Sequence, residues 1–170
     1  MKIIFLDIDG VLQPGTQDRF KHDLDSLKND LVQKNPAYES LNQYDIGATY
    51  YDWDKTAVSL MIKLCETTGA QFVISSDWRL YSALPELRLL FALQNMEQYV
   101  LDVISSGNNL SRHEEIQSYL DSHDNITQFV IIDDRYIREF EENFPLNFVQ
   151  TSWLFTEENY EKAIQILENG

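Results

Sequence analysis

Short apolar runs recur along the chain and predict buried β-strands at 2–6, 71–75, 100–104, 128–132 and 147–150. Each run is a nearly continuous series of Ile, Val, Phe and Leu, without regular alternation with polar residues. Continuous apolar strands are typical of a parallel sheet that is covered on both faces. The pattern therefore predicts parallel strands enclosed between two layers of helices.

Apolar residues recur at helical spacing between these runs. The predicted helices cover 18–34, 54–67, 83–96, 112–121, 135–142 and 157–168. Strands that alternate with helices indicate an α/β fold with right-handed crossovers. We therefore expect a doubly wound, Rossmann-like parallel sheet.

A long segment, 13–53, separates the first strand from the helix that should cross over to the second. Its apolar side chains predict one helical stripe through Phe20, Leu24, Leu27 and Leu31. Its second part is rich in tyrosine, and such aromatic residues more commonly pack a small subdomain onto a core than stack on a ligand. We expect 13–53 to be a small helical cap over the carboxyl edge of the sheet, inserted in a single domain of residues 1–170.

Composition narrows the range of functions. The net charge of −15 repels nucleic acid and anionic membranes at long range, although a local basic groove could compensate. Cys65 is the only cysteine, which excludes an intrachain disulfide and argues against a cysteine-based zinc site. No signal peptide is visible, and no apolar run approaches the roughly 20 residues that span a membrane. We expect a soluble cytoplasmic chain without a membrane partner.

The first strand ends in two acids and a glycine, Asp7, Asp9 and Gly10. Side chains alternate along a strand, so carboxylates at i and i+2 leave it on the same side. Two acids that close repel each other unless a cation or a raised pKa relieves the repulsion. The string therefore suits a divalent metal and a phosphoryl group, with Gly10 allowing a sharp turn.

Other polar residues follow the remaining strands. They are Ser75, Ser76, Asp77, Trp78 and Arg79 after the second strand, Arg112 after the third, and Asp133, Asp134 and Arg135 after the fourth. Ligands of open α/β sheets bind beyond the carboxyl ends of the strands. These acids, hydroxyls and arginines are therefore expected at one rim, together with Asp7 and Asp9.

These strings resemble the motifs of the haloacid dehalogenase (HAD) superfamily. Phe5-Leu6-Asp7-Ile8-Asp9-Gly10-Val11 is similar to its first motif, Phe72-Val73-Ile74-Ser75 to its second, and Val130-Ile131-Ile132-Asp133-Asp134 to its fourth. The insertion falls where this superfamily places a C1-type cap. The Ser75-Ser76-x-Trp78-Arg79 version, with Arg112-x-x-Glu115-Ile116 at the third motif, is similar to small bacterial members, some of them associated with RNA repair proteins.

The resemblance implies an Mg²⁺-dependent phosphatase. Asp7 would attack phosphorus and Asp9 would serve as general acid and base. The metal would be held by Asp7, the main-chain carbonyl of Asp9 and Asp133, with Asp134 as an alternative ligand or helix cap. Ser75 would donate a hydrogen bond to the phosphoryl group; Ser76 competes for this role and is a candidate for substrate binding.

The third motif departs from the family pattern, in which a lysine usually neutralises the phosphoryl charge. Arg112 occupies the corresponding position, and Arg79 is a second candidate for binding the substrate. Arginine carries the charge and a bidentate fork but does not replace lysine in every respect. Because the usual lysine is missing, an alternative function is a binding or regulatory domain that keeps the fold and has little or no turnover.

The acidic surface favours a small phosphorylated substrate over a polynucleotide, while the RNA-repair resemblance keeps a nucleic-acid end phosphatase as an alternative. A phospho-receiver domain would need a phospho-accepting aspartate at the end of the third strand and a lysine at the end of the fifth. The chain has Ser105-Ser106-Gly107 and Gln150-Thr151-Ser152 there, which excludes that interpretation.

Overall fold

The computed structural model describes residues 1–107 and 109–168 and contains a five-stranded parallel sheet. Its strands are β1 (Lys2–Leu6), β2 (Gln71–Ile74), β3 (Val100–Val103), β4 (Gln128–Asp133) and β5 (Phe148–Gln150). They lie in the order β3-β2-β1-β4-β5. The predicted parallel α/β fold is confirmed. The central position of β1 brings the residues that follow β1, β2 and β4 to one edge.

The described residues form seven α-helices: α1 (Leu24–Lys34), α2 (Gln43–Gly47), α3 (Lys55–Thr68), α4 (Leu84–Ala92), α5 (Arg112–Asp121), α6 (Ile137–Asn143) and α7 (Glu157–Glu168). The helices predicted over 112–121 and 157–168 begin and end where expected. Within the part of the chain that the structure describes, no helix combines the length and the apolar character needed to cross a bilayer.

The two faces of the sheet bury separate apolar clusters, as the continuous apolar strands predict. Ile4 and Leu6 of β1 pack with residues of α3, α4 and α7 on one face. Ile3 and Phe5 pack with residues of α5 and α6 on the other. All four strand residues are fully buried. Because both faces of β1 are covered, its carboxyl end is held rigidly between the neighbouring strands.

The helix predicted over 18–34 is wrong at its start. A 3₁₀ turn covers Asp18–Lys21, and α1 begins only at Leu24, where the Asp23 side chain accepts a hydrogen bond from the Ser26 amide. An aspartate that caps in this way begins a helix in preference to continuing one. Phe20 consequently leaves the predicted stripe and is exposed.

The chain between α1 and α3 is also largely helical and packs on α4. It contains a 3₁₀ turn at Pro36–Ser40, then α2, then a π-helical turn at Ala48–Asp52. Leu41 and Ile46 form an apolar cluster with Leu90 of α4. Tyr38 joins this cluster, and its hydroxyl donates to the Leu89 carbonyl (3.0 Å). Packing thus accounts for Tyr38, as predicted for the aromatic residues of this segment, whereas Tyr44 and Tyr50 are exposed.

Left-handed residues shorten two other predicted helices. The helix predicted over 83–96 ends at Ala92, and Asn95 then has a φ of 57°. The helix predicted over 135–142 begins at Ile137, because Tyr136 has a φ of 54°. Asparagine tolerates this region, whereas a tyrosine there is an uncommon conformation that periodicity alone does not reveal.

Candidate functional site

Three carboxylates meet where β1 and β4 end. One oxygen from each of Asp7, Asp133 and Asp134 lies within 4.8 Å of the others. The register explains this approach, because Leu6 pairs with Ile132 and the Asp7 amide donates to the Ile132 carbonyl (3.0 Å). The structure therefore brings together three acids that the sequence analysis named as candidate metal ligands. Both Asp133 and Asp134, the acidic pair after β4, lie at this cluster.

Burial makes this cluster electrostatically unfavourable without a cation. The pKa of Asp7 is raised from 3.8 to about 6, chiefly by burial, with further contributions from Asp134 and Asp9. The nearby Ser76 side chain lowers the pKa of Asp7 and so offsets part of this increase. The Ser76 hydroxyl nevertheless makes no hydrogen bond of regular geometry with any described residue. The pKa of Asp133 is raised from 3.8 to about 8 by burial and by the charge of Asp7. Burial also raises the pKa of Asp134.

Two carboxylate oxygens of the cluster fit a bound cation. Asp133 Oδ2 and Asp134 Oδ1 are buried and accept no hydrogen bond from any residue that the structure describes. The other Asp133 oxygen, Oδ1, accepts from the Arg135 amide (2.7 Å) and is thereby fixed. Buried carboxylate oxygens without donors are costly, and hard divalent cations such as Mg²⁺ take oxygen ligands of this kind.

The loop after β1 turns tightly against Asp134. The Ile8 carbonyl accepts hydrogen bonds from the amides of Val11, Leu12 and Gln13. Gly10 has a φ of 75°, and a Cβ atom there would lie 2.2 Å from Asp134 Oδ2. The glycine therefore serves two purposes: it permits the turn that the sequence analysis expected, and it leaves room for the acid from β4.

Asp9 is oriented by a tryptophan from beyond β2. Trp78 Nε1 donates a hydrogen bond to Asp9 Oδ2 (2.9 Å). Trp78 lies in a 3₁₀ turn, Asp77–Leu80, and also packs against the cluster that includes Leu90. The sequence analysis identified the unusual Asp77-Trp78-Arg79 string without this contact, because nothing in the local pattern indicates a partner sixty-nine residues away.

A small cavity of ≈ 20 Å³ opens between the acids. It is lined by Asp7, Asp9, Ser76, Asp77, Arg112, Arg135 and Tyr136. Its volume is close to that of one water-sized probe. Ser75 is fully buried and does not line this cavity. Of the two serines, Ser76 is therefore the one that faces Asp7 and Asp9.

The two candidate arginines occupy different positions. Arg79 donates to the carbonyls of Ser75 (2.6 Å) and Ser76 (3.0 Å), and to Glu115 Oε2 (2.7 Å). Its side chain is 4% exposed, and it does not line the small cavity. Arg79 thus supports the backbone after β2 from behind. Its predicted contact with substrate remains a prediction.

Arg112 lines the cavity but already contacts two acids. Its Nη2 donates to Asp77 Oδ1 (2.6 Å), and its Nε lies 3.4 Å from Glu115 Oε2. The Asp77 side chain is 48% exposed, so solvent weakens that pair more than it weakens the buried pair with Glu115. Arg112, at the start of α5, therefore lines the same cavity as Asp7. Its ion pair with the exposed Asp77 is weakened more by solvent than its ion pair with Glu115 and is the one that a ligand could displace.

The raised pKa values of Asp7 and Asp133 predict a stability that falls with pH in the absence of divalent cations. Between the ordinary value of 3.8 and about 8, the unfolded chain releases protons that the folded chain retains. At pH 8 without metal, Asp133→Asn should therefore be more stable than the parent protein by at least about 1 kcal/mol, or about 2–4 °C. The midpoint of thermal unfolding at pH 5 and pH 8 checks this.

Mg²⁺ should reverse the order, because it stabilises only a protein that binds it. The exposed Asp124→Asn, in the loop before β4 and away from the carboxyl edge, serves as the matched control. Equal pH dependence of Asp133→Asn, Asp124→Asn and the parent would contradict the electrostatic account of the cluster.

Comparison with known proteins agrees with this geometry. A family model described as the HAD domain in Swiss Army Knife RNA repair proteins matches residues 3–159. No curated protein and no solved structure matches the chain. The match includes both acidic motifs and all five strands of the sheet except Lys2, the first residue of β1. The chain therefore belongs to the haloacid dehalogenase superfamily, as a HAD domain of the type found in those RNA repair proteins.

Proposed function

We propose that the protein is an Mg²⁺-dependent phosphatase that hydrolyses a phosphomonoester through a phosphoaspartate on Asp7. The observation that carries the proposal is the cluster of Asp7, Asp133 and Asp134, whose oxygens lie within 4.8 Å of one another. HAD proteins are usually hydrolases, which agrees with this chemistry. Mg²⁺ bound by these side chains, with the Asp9 carbonyl that the family resemblance adds, would neutralise charge on the phosphoryl oxygens.

The first step transfers the phosphoryl group to the protein. An Asp7 carboxylate oxygen forms a bond to phosphorus while the bond from phosphorus to the substrate oxygen breaks. Asp9 gives its proton to that oxygen, so the leaving group departs as an alcohol. Both carboxylates border the same small cavity, which supports the proposal that they act on one reacting group.

The second step regenerates the protein. Asp9, now deprotonated, takes a proton from a water molecule that attacks the phosphorus of the phosphoaspartate. The bond from phosphorus to the Asp7 oxygen breaks and releases inorganic phosphate. The Trp78 indole, which donates to Asp9 Oδ2, fixes the carboxylate that must act in both steps. We assign Trp78 as a positioning residue.

Two donors near Asp7 are proposed to bind the phosphoryl oxygens. The Ser76 hydroxyl is buried and has no hydrogen-bond partner among the described residues, so it is free to donate. Arg112 supplies positive charge when its exposed pairing with Asp77 is exchanged for the substrate. We retain Ser75 as the alternative serine. The helical segment 13–53 is proposed to be a cap, since its residues line clefts on both sides of Asp9.

A second candidate is a HAD domain that binds a phosphorylated ligand with little turnover. The pairing of Arg112 with Asp77 and Glu115 favours it, because that guanidinium is already partly neutralised. A nucleic-acid end phosphatase is a third candidate, supported by the description of the matching family. The first two candidates differ in whether a phosphoenzyme forms and breaks down.

Turnover of an aryl phosphate with Mg²⁺ should be abolished by EDTA and by Asp7→Asn, because the nucleophile and a metal ligand are lost together. Asp9→Asn should retain phosphoryl transfer from this activated substrate but slow the hydrolysis of an alkyl phosphate by about 10²–10⁴-fold. Rapid-quench assays that follow a phosphoenzyme and released phosphate separate these steps. The exposed Asp18→Asn is the control, and undiminished turnover by Asp7→Asn would contradict the proposal.

Trp78→Phe should lower kcat for an alkyl phosphate by about tenfold and leave KM unchanged, because it removes one hydrogen bond to a charged group and keeps an aromatic ring. The effect should be smaller for an activated aryl phosphate, which needs less help from an acid. Trp53→Phe is a matched control, since the buried Trp53 Nε1 donates no hydrogen bond to any described residue. An equal decrease of kcat in the two variants would show that Trp78 contributes only packing and would contradict its assignment as a positioning residue.

A further inference from the structure

Two clefts open on opposite sides of Asp9, and their charges differ. The first, here called the arginine cleft, has a volume of ≈ 220 Å³, and its lining includes Asp9, Gly15, Arg19, Asp134, Arg135 and Trp153. The second, the acidic cleft, has a volume of ≈ 370 Å³ and is lined by Asp9, Asn42, Asp45, Asp77, Trp78, Tyr81 and Ser82. An anionic ligand is therefore directed to the arginine cleft.

Trp153 is held at the mouth of the arginine cleft in a strained, exposed state. It is 73% exposed and has a φ of 78°, a conformation that is unfavourable for a residue other than glycine. Its flanking residues are tied to the loop after β1. Thr151 Oγ1 donates to the Gly10 carbonyl (2.8 Å), and the Phe155 amide donates to the Val11 carbonyl (2.8 Å). The backbone segment that carries the indole is thus held against the loop that contains Asp9.

The Trp153 indole lies next to Gly15 and is otherwise largely exposed. A Cβ atom at Gly15 would lie 3.4 Å from Trp153 Cζ3, so the six-membered ring of the indole lies close to Gly15. Most of the remaining side-chain surface is accessible to a ligand, given its exposure of 73%. A large, rigid and exposed aromatic surface can stack on a flat ring.

The cations of the cleft suit a phosphate beyond the reacting one. The Arg135 side chain is 62% exposed and lies 3.8 Å from Asp134 Oδ1, longer than a hydrogen bond. Arg19 is paired with the buried Asp52, which fixes its guanidinium in the wall of the cleft. Arg135 is therefore the more available charge, beside the same opening as Trp153.

We propose that the arginine cleft binds the leaving group and that this group is a nucleoside, with its base stacked on Trp153 and any further backbone phosphate paired with Arg135. This inference rests on the proposed function, since it gives the substrate class of that site. A nucleobase supplies the flat ring, and nucleotides supply the negative charge. Asp77 of the acidic cleft is paired with Arg112, but no described lysine or arginine lines that cleft beside Asp9, Asp45 and Asp77, so its charge disfavours such a ligand.

Binding of hydrolysis-resistant probes tests the base contact independently of turnover. The probes are the 5′-methylenephosphonate analogues of adenosine 5′-phosphate and of ribose 5-phosphate, measured by titration calorimetry with Mg²⁺. The protein should bind the adenosine probe about tenfold more tightly, as expected for one stacked base. Trp153→Gly should bring the two affinities within about twofold, and Trp153→Phe should restore most of the difference.

Two variants separate the loss of base stacking from a general loss of folding or binding. Glycine relieves the strain at a φ of 78°, so Trp153→Gly should fold. Tyr81→Ala removes an aromatic ring that is 85% exposed and lines the acidic cleft, and it should leave the preference for adenosine unchanged. A preference that survives Trp153→Gly, or that Tyr81→Ala abolishes, overturns the proposal. Base-dependent binding without turnover of any phosphate contradicts the proposed function and leaves the nucleoside subsite standing.

Hydrolysis of natural phosphates identifies the source of the nucleoside. The substrates are adenosine 5′-phosphate, hexa-adenylates with a 5′- or a 3′-phosphate, and a phosphotyrosine peptide. Preference for a hexa-adenylate that Arg135→Ala removes supports the proposal with a nucleic-acid end as the source. Preference for adenosine 5′-phosphate supports it with a free nucleotide. Preference for the phosphotyrosine peptide over all of these overturns it.

Discussion

The crowding of carboxylates at the end of β1 is the constraint on which the rest of the site depends. Parallel strands bring Asp7 from β1 and Asp133 from β4 to one edge, both buried, and Asp134 adds a third oxygen. Burial and mutual repulsion raise the pKa values of Asp7 and Asp133 to about 6 and about 8. A fold that stabilises such a group needs a cation, a proton or both, and phosphoryl transfer uses both.

The surroundings of the cluster fix its acids without neutralising them. Gly10 leaves space for Asp134, the Arg135 amide orients Asp133, and Trp78 orients Asp9. Arg79 forms an ion pair with Glu115, and Arg112 forms one with Asp77. These pairs hold both guanidinium groups near the cluster. Because Arg79 and Arg112 pair with other acids, the three carboxylates of the cluster are left for a metal ion, and Arg112 stands beside the position proposed for a phosphate.

The parts of the site that depend on local sequence could be predicted. Asp7, Asp9 and Gly10 follow one apolar strand, and Asp133 and Asp134 follow another, so the rule for parallel sheets placed them together. The contacts of Trp78 and Trp153 could not be predicted, because each depends on distant segments that meet only in the fold. The interruption of the helix predicted over 18–34 had a local signal in Asp23, which competes with the apolar stripe.

A crystal structure with Mn²⁺ in place of Mg²⁺ tests the central claim most directly, because anomalous scattering locates the ion without reference to activity. The account predicts one strong peak in contact with carboxylate oxygens of Asp7 and Asp133 and adjacent to Asp134. Metal–oxygen distances of about 2.0–2.6 Å are expected for hard divalent cations. An ion bound elsewhere, or no ion at millimolar concentration with the three carboxylates ordered and unmoved, would contradict the account.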